Sequence, residues 1–240
     1  MLRKLIRKLV YREKATSEAF VEYLRKNGVQ VGKHVKFYSP PHTLIDMSFP
    51  WLITIGDHVK ITHGVIILTH DYSWAVLKRL PKNNGRILGA QSPVEIGNNV
   101  FIGMNAIITK GTTIGDNVII GAGSVVTGVC ESNSVYAGVP ARKIMTIEEF
   151  YRKREEKQFE EAKQIAQLYY KRFDKYPPRE IFVEHFPLFC DADEAMQVPA
   201  FKSQMATGEC FDECYAYMKE NAPMFATYDD FLGACFCGEE

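Results

Sequence analysis

The sequence predicts a mainly β protein, a solenoid of six-residue repeats with a short N-terminal helical segment and a C-terminal helical extension. From Ile96 to Val126 an aliphatic residue recurs at every sixth position without a break. Asn or Gly stands three places after each of the first five aliphatics, and a smaller residue follows it. A period of six fits neither a helix nor simple strand alternation. It is typical of a hexapeptide solenoid, in which short parallel strands meet at tight corners.

Each column of this repeat has a physical role. The aliphatic side chains are expected to stack inward as one apolar ladder, since β-branched Ile and Val suit a pleated strand. The corners require a positive φ, which Gly and Asn adopt with little strain. The predicted corner residues are Asn99, Asn105, Gly111, Asn117 and Gly123.

Helical signals flank the solenoid, so we predict three parts: residues 1–28, 29–145 and 146–240. In the first part, Thr16 or Ser17 begins a short helix that Asn27 and Gly28 end. In the third, Thr146 and Glu149 form a capping box that opens a charged helix to about residue 172. Shorter helices are predicted at about 178–186, 192–197, 199–206, 209–221 and 227–235.

The repeat is interrupted once by a long insertion. Ile67 and Ile96 both occupy the aliphatic position of the six-residue repeat, but the distance between them along the sequence is not a multiple of six. A segment must therefore leave the coil, and residues 72–92 are the candidate. A loop of this length in a compact repeat is usually functional.

The composition of the chain argues against a nucleic-acid-binding, a membrane-spanning or a zinc-binding protein. The 240 residues include 29 basic and 29 acidic side chains, so no overall charge favours nucleic-acid binding. No apolar run reaches the ~20 residues of a membrane span, and no signal peptide is evident, which predicts a cytoplasmic protein with reduced thiols. The basic segment 1–11 fits either contact with a membrane surface or, as we favour, packing on protein. The cysteine pairs lack the usual zinc-ligand spacing, so no metal is expected.

Five stretches carry a family resemblance: 53–57 (ITIGD), 68–71 (LTHD), 94–100 (VEIGNNV), 120–127 (IGAGSVVT) and 137–142 (AGVPAR). Residues 29 to 144 thereby resemble the left-handed β-helix acyltransferases, in particular the maltose, galactoside and capsular-polysaccharide O-acetyltransferase group. The resemblance implies a triangular left-handed parallel β-helix. It also implies a homotrimer with its active site between neighbouring chains, and acetyl-CoA as acyl donor.

His70 is the predicted general base. Acetyl transfer to an alcohol requires a group that accepts the hydroxyl proton near neutral pH, and His suits this role. The residue stands at a predicted coil corner directly before the expelled loop, and it matches the family's catalytic His. Asp71 follows it in the inward column, where it would either orient the imidazole or bond to the backbone.

The resemblance also implies the residues that bind both substrates. Ala122 and Thr127 would lie beside the pantetheine, and Arg142 near the nucleotide phosphates. The Met104 amide, with Gly103 beside it, would face the thioester as an oxyanion donor. On the acceptor side, Asp46 and Ser48 would bind sugar hydroxyls, and Trp74, with Trp51 and Tyr72, would either stack on a sugar ring or pack internally.

These residues predict an acetyl-CoA-dependent O-acetyltransferase that uses His70 in direct transfer to a carbohydrate hydroxyl. The acceptor would be a small sugar or a capsule or lipopolysaccharide precursor. Three alternatives stay open: N-acetylation of an amino sugar, a γ-carbonic-anhydrase-like zinc enzyme, and a non-enzymatic trimeric scaffold.

Overall fold

The computed structural model describes residue 6 and residues 9–237, and it divides the chain into two compact units. The first is Met1–Phe150 and the second is Tyr151–Glu240. Part of the basic segment 1–11, residues 1–5, 7 and 8, lies outside the described residues. No helix of the described part is both long and apolar enough to cross a membrane.

Short strands of the first unit form three sheets, which the chain visits in a fixed rotation. All neighbouring strands are parallel except the last pair of the second sheet, which is antiparallel. The first sheet contains β1 (Gln30–Val31), β4 (Ile53–Ile55), β7 (Val94–Ile96), β10 (Thr113–Ile114) and β13 (Val129–Cys130). The second contains β2 (Lys36–Phe37), β5 (Lys60–Ile61), β8 (Val100–Ile102), β11 (Val118–Ile120), β14 (Ser134–Gly138) and β15 (Ala141–Thr146). The third contains β3 (Leu44–Ile45), β6 (Ile66–Ile67), β9 (Ile107–Ile108) and β12 (Val125–Val126).

This rotation gives the unit three edges, which we name by their place in the coil. The first edge follows the first sheet, the second edge follows the second sheet, and the third edge follows the third sheet. Residues 115–117 lie on the first edge, 121–124 on the second and 127–128 on the third. Each functional residue can therefore be assigned to an edge.

The predicted aliphatic ladder is confirmed as the core of this unit. All six of its members between Ile96 and Val126 are at most 2% exposed. The five predicted corner residues all have positive φ, between 52° and 74°. The period of six therefore sets both the apolar core and the tight turns.

One helix packs on the first coil. Helix α1 (Ser17–Lys26) begins where predicted, with the Thr16 hydroxyl accepting a hydrogen bond from the Ala19 amide. Its Phe20 ring contacts Phe37 edge-on at 4.9 Å and is part of the same core as the ladder. The helix ends before Gly28, whose φ of 99° suits only glycine.

Among residues 12–237, the remaining helices are α2 (Trp74–Leu77), inside the interruption, and five in the C-terminal part. These five are α3 (Ile147–Phe173), α4 (Ala192–Gln197), α5 (Pro199–Met205), α6 (Phe211–Glu220) and α7 (Tyr228–Phe236). A cluster of buried phenylalanines, including Phe182, Phe189, Phe201 and Phe231, forms the core of the second unit.

The predicted helix at 178–186 is wrong. Only two 3-10 turns occur there, Arg179–Ile181 and Phe186–Leu188. Pro187 has no amide hydrogen and disfavours a helical conformation at the residue before it, which limits a helix at the end of this stretch.

Candidate active site

His70 lies on the third edge, at the base of the interruption. It forms an isolated antiparallel bridge with Gln91, and the Ser92 amide donates to the Thr69 carbonyl at 3.0 Å. These contacts close the two ends of the inserted segment onto the coil. His70 does not adopt the positive φ of a corner residue, so its predicted corner conformation is wrong. The bridge to Gln91 keeps its backbone extended.

A buried carboxylate orients the His70 ring. The Oδ2 atom of Asp46 lies 2.6 Å from His70 Nδ1. The same oxygen accepts hydrogen bonds from the Thr69 amide at 3.0 Å and the Thr69 hydroxyl at 2.6 Å, while Oδ1 accepts from the Ser48 amide at 3.0 Å. Asp46 is 7% exposed. The carboxylate therefore has a full set of partners without any substrate.

These contacts fix the protonation of the pair. Burial opposes ionisation of Asp46, but hydrogen bonds from Thr69, Ser48 and His70 outweigh it and hold the pKa of the carboxyl well below its usual range. An ionised carboxylate can only accept, so Nδ1 of His70 carries a proton. In the neutral ring the lone pair then lies on Nε2. With a side chain 22% exposed, His70 can present that atom to a substrate.

Aromatic rings border His70 on both sides. Phe49 contacts the imidazole at 5.5 Å between centroids, and Trp51 contacts Phe49 at 5.8 Å. On the other side Tyr72 lies 5.7 Å from His70, and Trp74 lies 5.5 Å from Tyr72. Trp51 and Tyr72 are each 68% exposed. We call these four residues, Phe49, Trp51, Tyr72 and Trp74, the aromatic surface.

The residues predicted to bind the donor lie mainly on the second edge. Gly103 and Met104 follow β8, and Ala122 follows β11, the next strand of that sheet. The Gly103 amide already donates to the Ile120 carbonyl at 2.8 Å, so it is not available as an oxyanion donor. No hydrogen bond between described residues uses the Met104 amide. The residue is 51% exposed, so this part of the second edge faces solvent.

Arg142 and Thr127 take different places. Arg142 pairs with Ala137 across the antiparallel strands β14 and β15, and its exposed guanidinium bonds its own chain at the Ala141 carbonyl. Thr127 follows β12, so it lies on the third edge with His70. One chain thus does not bring Thr127 together with Met104 and Ala122.

Comparisons with known proteins agree with this architecture. The family model described as "Bacterial transferase hexapeptide (six repeats)" matches residues 93–128. Protein CapG of Staphylococcus aureus is 44% identical over 152 residues, which span 62% of this chain and 81% of CapG. The chain belongs to the hexapeptide-repeat acetyltransferase family.

Two O-acetyltransferases match a slightly smaller share of this chain. The galactoside O-acetyltransferase of Escherichia coli is 37% identical over 136 residues, 56% of this chain and 62% of that protein. The crystal structure of a maltose O-acetyltransferase from Clostridium difficile is 28% identical, covers 60% of this chain and 81% of its own, and has a TM-score of 0.39.

Asp71 does not orient the imidazole of His70. Of the two roles left open for it, the structure shows the bond to the backbone: its carboxylate accepts from the Ser73 amide at 2.8 Å and also pairs with Lys110 at 3.1 Å. Its inward position was wrong because the coil ends at Thr69 and the repeat no longer sets side-chain direction. Asp46, assigned to the acceptor, takes the orienting place instead. The register of the strands explains this: Ile45 pairs with Ile67, so Asp46 lies in the adjacent coil only two columns from His70.

Proposed function

We propose that this protein is an acetyl-CoA-dependent O-acetyltransferase that acts on a carbohydrate hydroxyl, with His70 as general base. The observation that carries the proposal is the 2.6 Å contact between His70 and the buried Asp46 carboxylate. This contact leaves Nε2 as the basic atom, directly beside the exposed aromatic surface. Aromatic faces bind the apolar C–H faces of sugars, which supports a carbohydrate acceptor.

In this proposal the acetyl group passes directly from acetyl-CoA to the acceptor, without a covalent bond to the protein. Nε2 of His70 accepts the hydroxyl proton while the hydroxyl oxygen forms a bond to the thioester carbonyl carbon. The Met104 amide stabilises the resulting oxyanion. The C–S bond then breaks, and the imidazolium returns its proton to the departing CoA sulfur. Asp46 stabilises the imidazolium throughout and holds the ring in position.

We further propose that the protein is a homotrimeric left-handed β-helix whose site forms between chains. Within one chain the third sheet separates His70, on the third edge, from Met104, on the second. A neighbouring chain that brings its second edge to the third edge of the first would join the two halves of the site. Ala122 and Arg142 of that neighbouring chain would then contact acetyl-CoA. We place the protein in the cytoplasm, where acetyl-CoA is present.

The test is acetyl transfer from acetyl-CoA to a panel of saccharides. His70→Ala should lower kcat by about 10²–10⁴-fold, the usual contribution of a general base. Wild-type activity in this variant would disprove the assignment. His58→Asn is the matched control, because His58 lies on the first edge with a φ of 57° that Asn tolerates.

Donor binding is measured separately by thermal shift. Acetyl-CoA at 100 times its Kd should stabilise both wild type and His70→Ala by about 2.7 kcal/mol. In wild type, dephospho-CoA should give a smaller thermal shift than acetyl-CoA. If this difference between the two ligands disappears in Arg142→Gln, the result supports phosphate recognition by Arg142. If no CoA derivative shifts the unfolding temperature, the transferase proposal fails.

A further inference from the structure

The segment of residues 72–92 carries a concentrated positive charge. It contains Lys78, Arg79, Lys82 and Arg86 and no Asp or Glu. The whole chain, by contrast, has a formal net charge of zero. The excess of cations is therefore a local property of the segment that leaves the coil next to His70.

The backbone gathers these cations onto one compact turn. The Asn83 side chain donates to the carbonyls of Leu77 at 2.9 Å and Arg86 at 2.7 Å. The Gly85 amide donates to the Lys78 carbonyl at 3.1 Å. Residues 78 and 86 are thus held near each other, and the four cations share one part of the surface.

Three of the cations have no acidic partner in the part of the chain that the structure describes. Arg79, Lys82 and Arg86 are exposed, and none of the salt bridges between described residues involves them. Asp71, the acid just before the segment, is already paired with Lys110. Exposed cations of one sign create a positive potential that attracts anions.

The basic turn and the aromatic surface are continuous. The Lys78 ammonium lies 4.9 Å from the centre of the Trp74 ring, which belongs to the aromatic surface. The segment returns to the coil at His70, where the Asp71 amide donates to the Ala90 carbonyl at 3.3 Å. A saccharide that stacks on Tyr72 and Trp74 would have its substituents next to these cations.

Resting on the transferase function proposed above, we propose that the acceptor is an anionic saccharide recognised by Arg79, Lys82 and Arg86. Its charge is a carboxylate on an acidic sugar or a phosphate ester on a sugar. Guanidinium groups bind both kinds of anion through paired N–H donors. A neutral sugar would leave all three cations without a partner.

Intrinsic fluorescence provides a binding assay that needs no turnover. The chain has two tryptophans, Trp51 and Trp74, and both belong to the aromatic surface. The probes are an oligogalacturonate, a neutral oligosaccharide of equal length and a hexose 1-phosphate, which separate carboxylate from phosphate recognition.

At least one anionic probe should bind about tenfold more tightly than the neutral one, as expected for a single charged hydrogen bond. This preference should shrink with added salt. Equal affinity for all three probes overturns the proposal.

Charge removal then locates the effect. The variant Arg79→Gln/Lys82→Gln/Arg86→Gln should lose the preference for the anionic probe and raise the acceptor KM about tenfold. The control Arg152→Gln/Lys153→Gln/Lys157→Gln removes the same charge from exposed positions of α3 and should change neither quantity. An equal loss in the control, or a rise confined to the KM for acetyl-CoA, overturns the proposal.

These readouts separate the two proposals. Tight binding of the anionic probe without any acetyl transfer would reject the transferase function and keep the anion site. Transfer to neutral and anionic acceptors at equal kcat/KM would keep the transferase function and reject the anionic acceptor.

Discussion

The first and third edges of the solenoid use polar side chains in opposite ways. On the first edge each side chain bonds to its equivalent in the next coil: Asn99 donates to Asn117 at 2.8 Å, and Asn117 donates to Asn133 at 2.9 Å. On the third edge, Asp46 and His70 form a contact that occurs once, at 2.6 Å. Polar groups join neighbouring coils on both edges. Next to the interruption, however, the contact between coils orients an imidazole and is not repeated along the solenoid.

The same contrast appears in the backbone bonds of the two edges. On the first edge Asp57, Asn98 and Asp116 each accept from an amide of the preceding coil, at 2.6–2.8 Å. On the third edge the Asp71 carboxylate accepts from Ser73, two residues further along its own chain, at 2.8 Å. The Asp71 carboxylate of the interrupted edge therefore depends on a local turn, whereas the first edge depends on bonds between coils.

The largest effect expected from this comparison is the loss of activity in Asp46→Asn. An amide in place of the carboxylate no longer stabilises the imidazolium, and it allows the other His70 tautomer. We expect kcat to fall by about 10²–10⁴-fold with the KM for acetyl-CoA unchanged, measured by steady-state acetyl transfer.

Asp116→Asn is the matched change on the first edge. The Asn98 amide still finds an oxygen there, so kcat should equal that of wild type. If Asp46→Asn also retains wild-type kcat, or if Asp116→Asn loses as much, the two edges do not differ in function.

A smaller effect, on stability, is expected for Asn117→Val. Asn117 has a φ of 55°, which a β-branched residue adopts only with strain, and the change also removes both amide bonds of the ladder. We expect a loss of about 2–4 kcal/mol in the free energy of unfolding. Urea unfolding followed by tryptophan fluorescence reports on this unit, since Trp51 and Trp74 both lie in it.

Asn117→Gly separates the two causes, because glycine adopts this φ freely. It should cost about 1–2 kcal/mol, the value of the two lost hydrogen bonds. If Gly costs as much as Val, the amide ladder and not the backbone conformation sets the stability of the regular edge.

The comparison also explains which features were predictable from sequence. Ile102 and Asn105 obey the period of six because every coil imposes it, so their burial and corner conformation could be predicted. Asp46 lies in an irregular coil and meets His70 from 24 positions away, a contact that only the register of β3 with β6 determines. The phenylalanines of the second unit pack without any repeat, and residues 178–186, where the sequence pattern favoured a helix, form short 3-10 turns instead.

The smallest effect concerns Asp71, whose carboxyl pKa is lowered to about 2 by hydrogen bonds from the Ser73 hydroxyl and amide and by Lys110. The hydroxyl of Ser73 is the largest of these causes. Ser73→Ala should therefore raise the pKa of Asp71 toward its ordinary value, and Lys110→Met should raise it less, since each removes a group that favours the ionised form. Carboxyl-carbon NMR titration of Asp71 measures both changes. A larger rise in Lys110→Met would mean that the adjacent coil, rather than the local turn, holds this carboxylate, and the interrupted edge would then resemble the regular one.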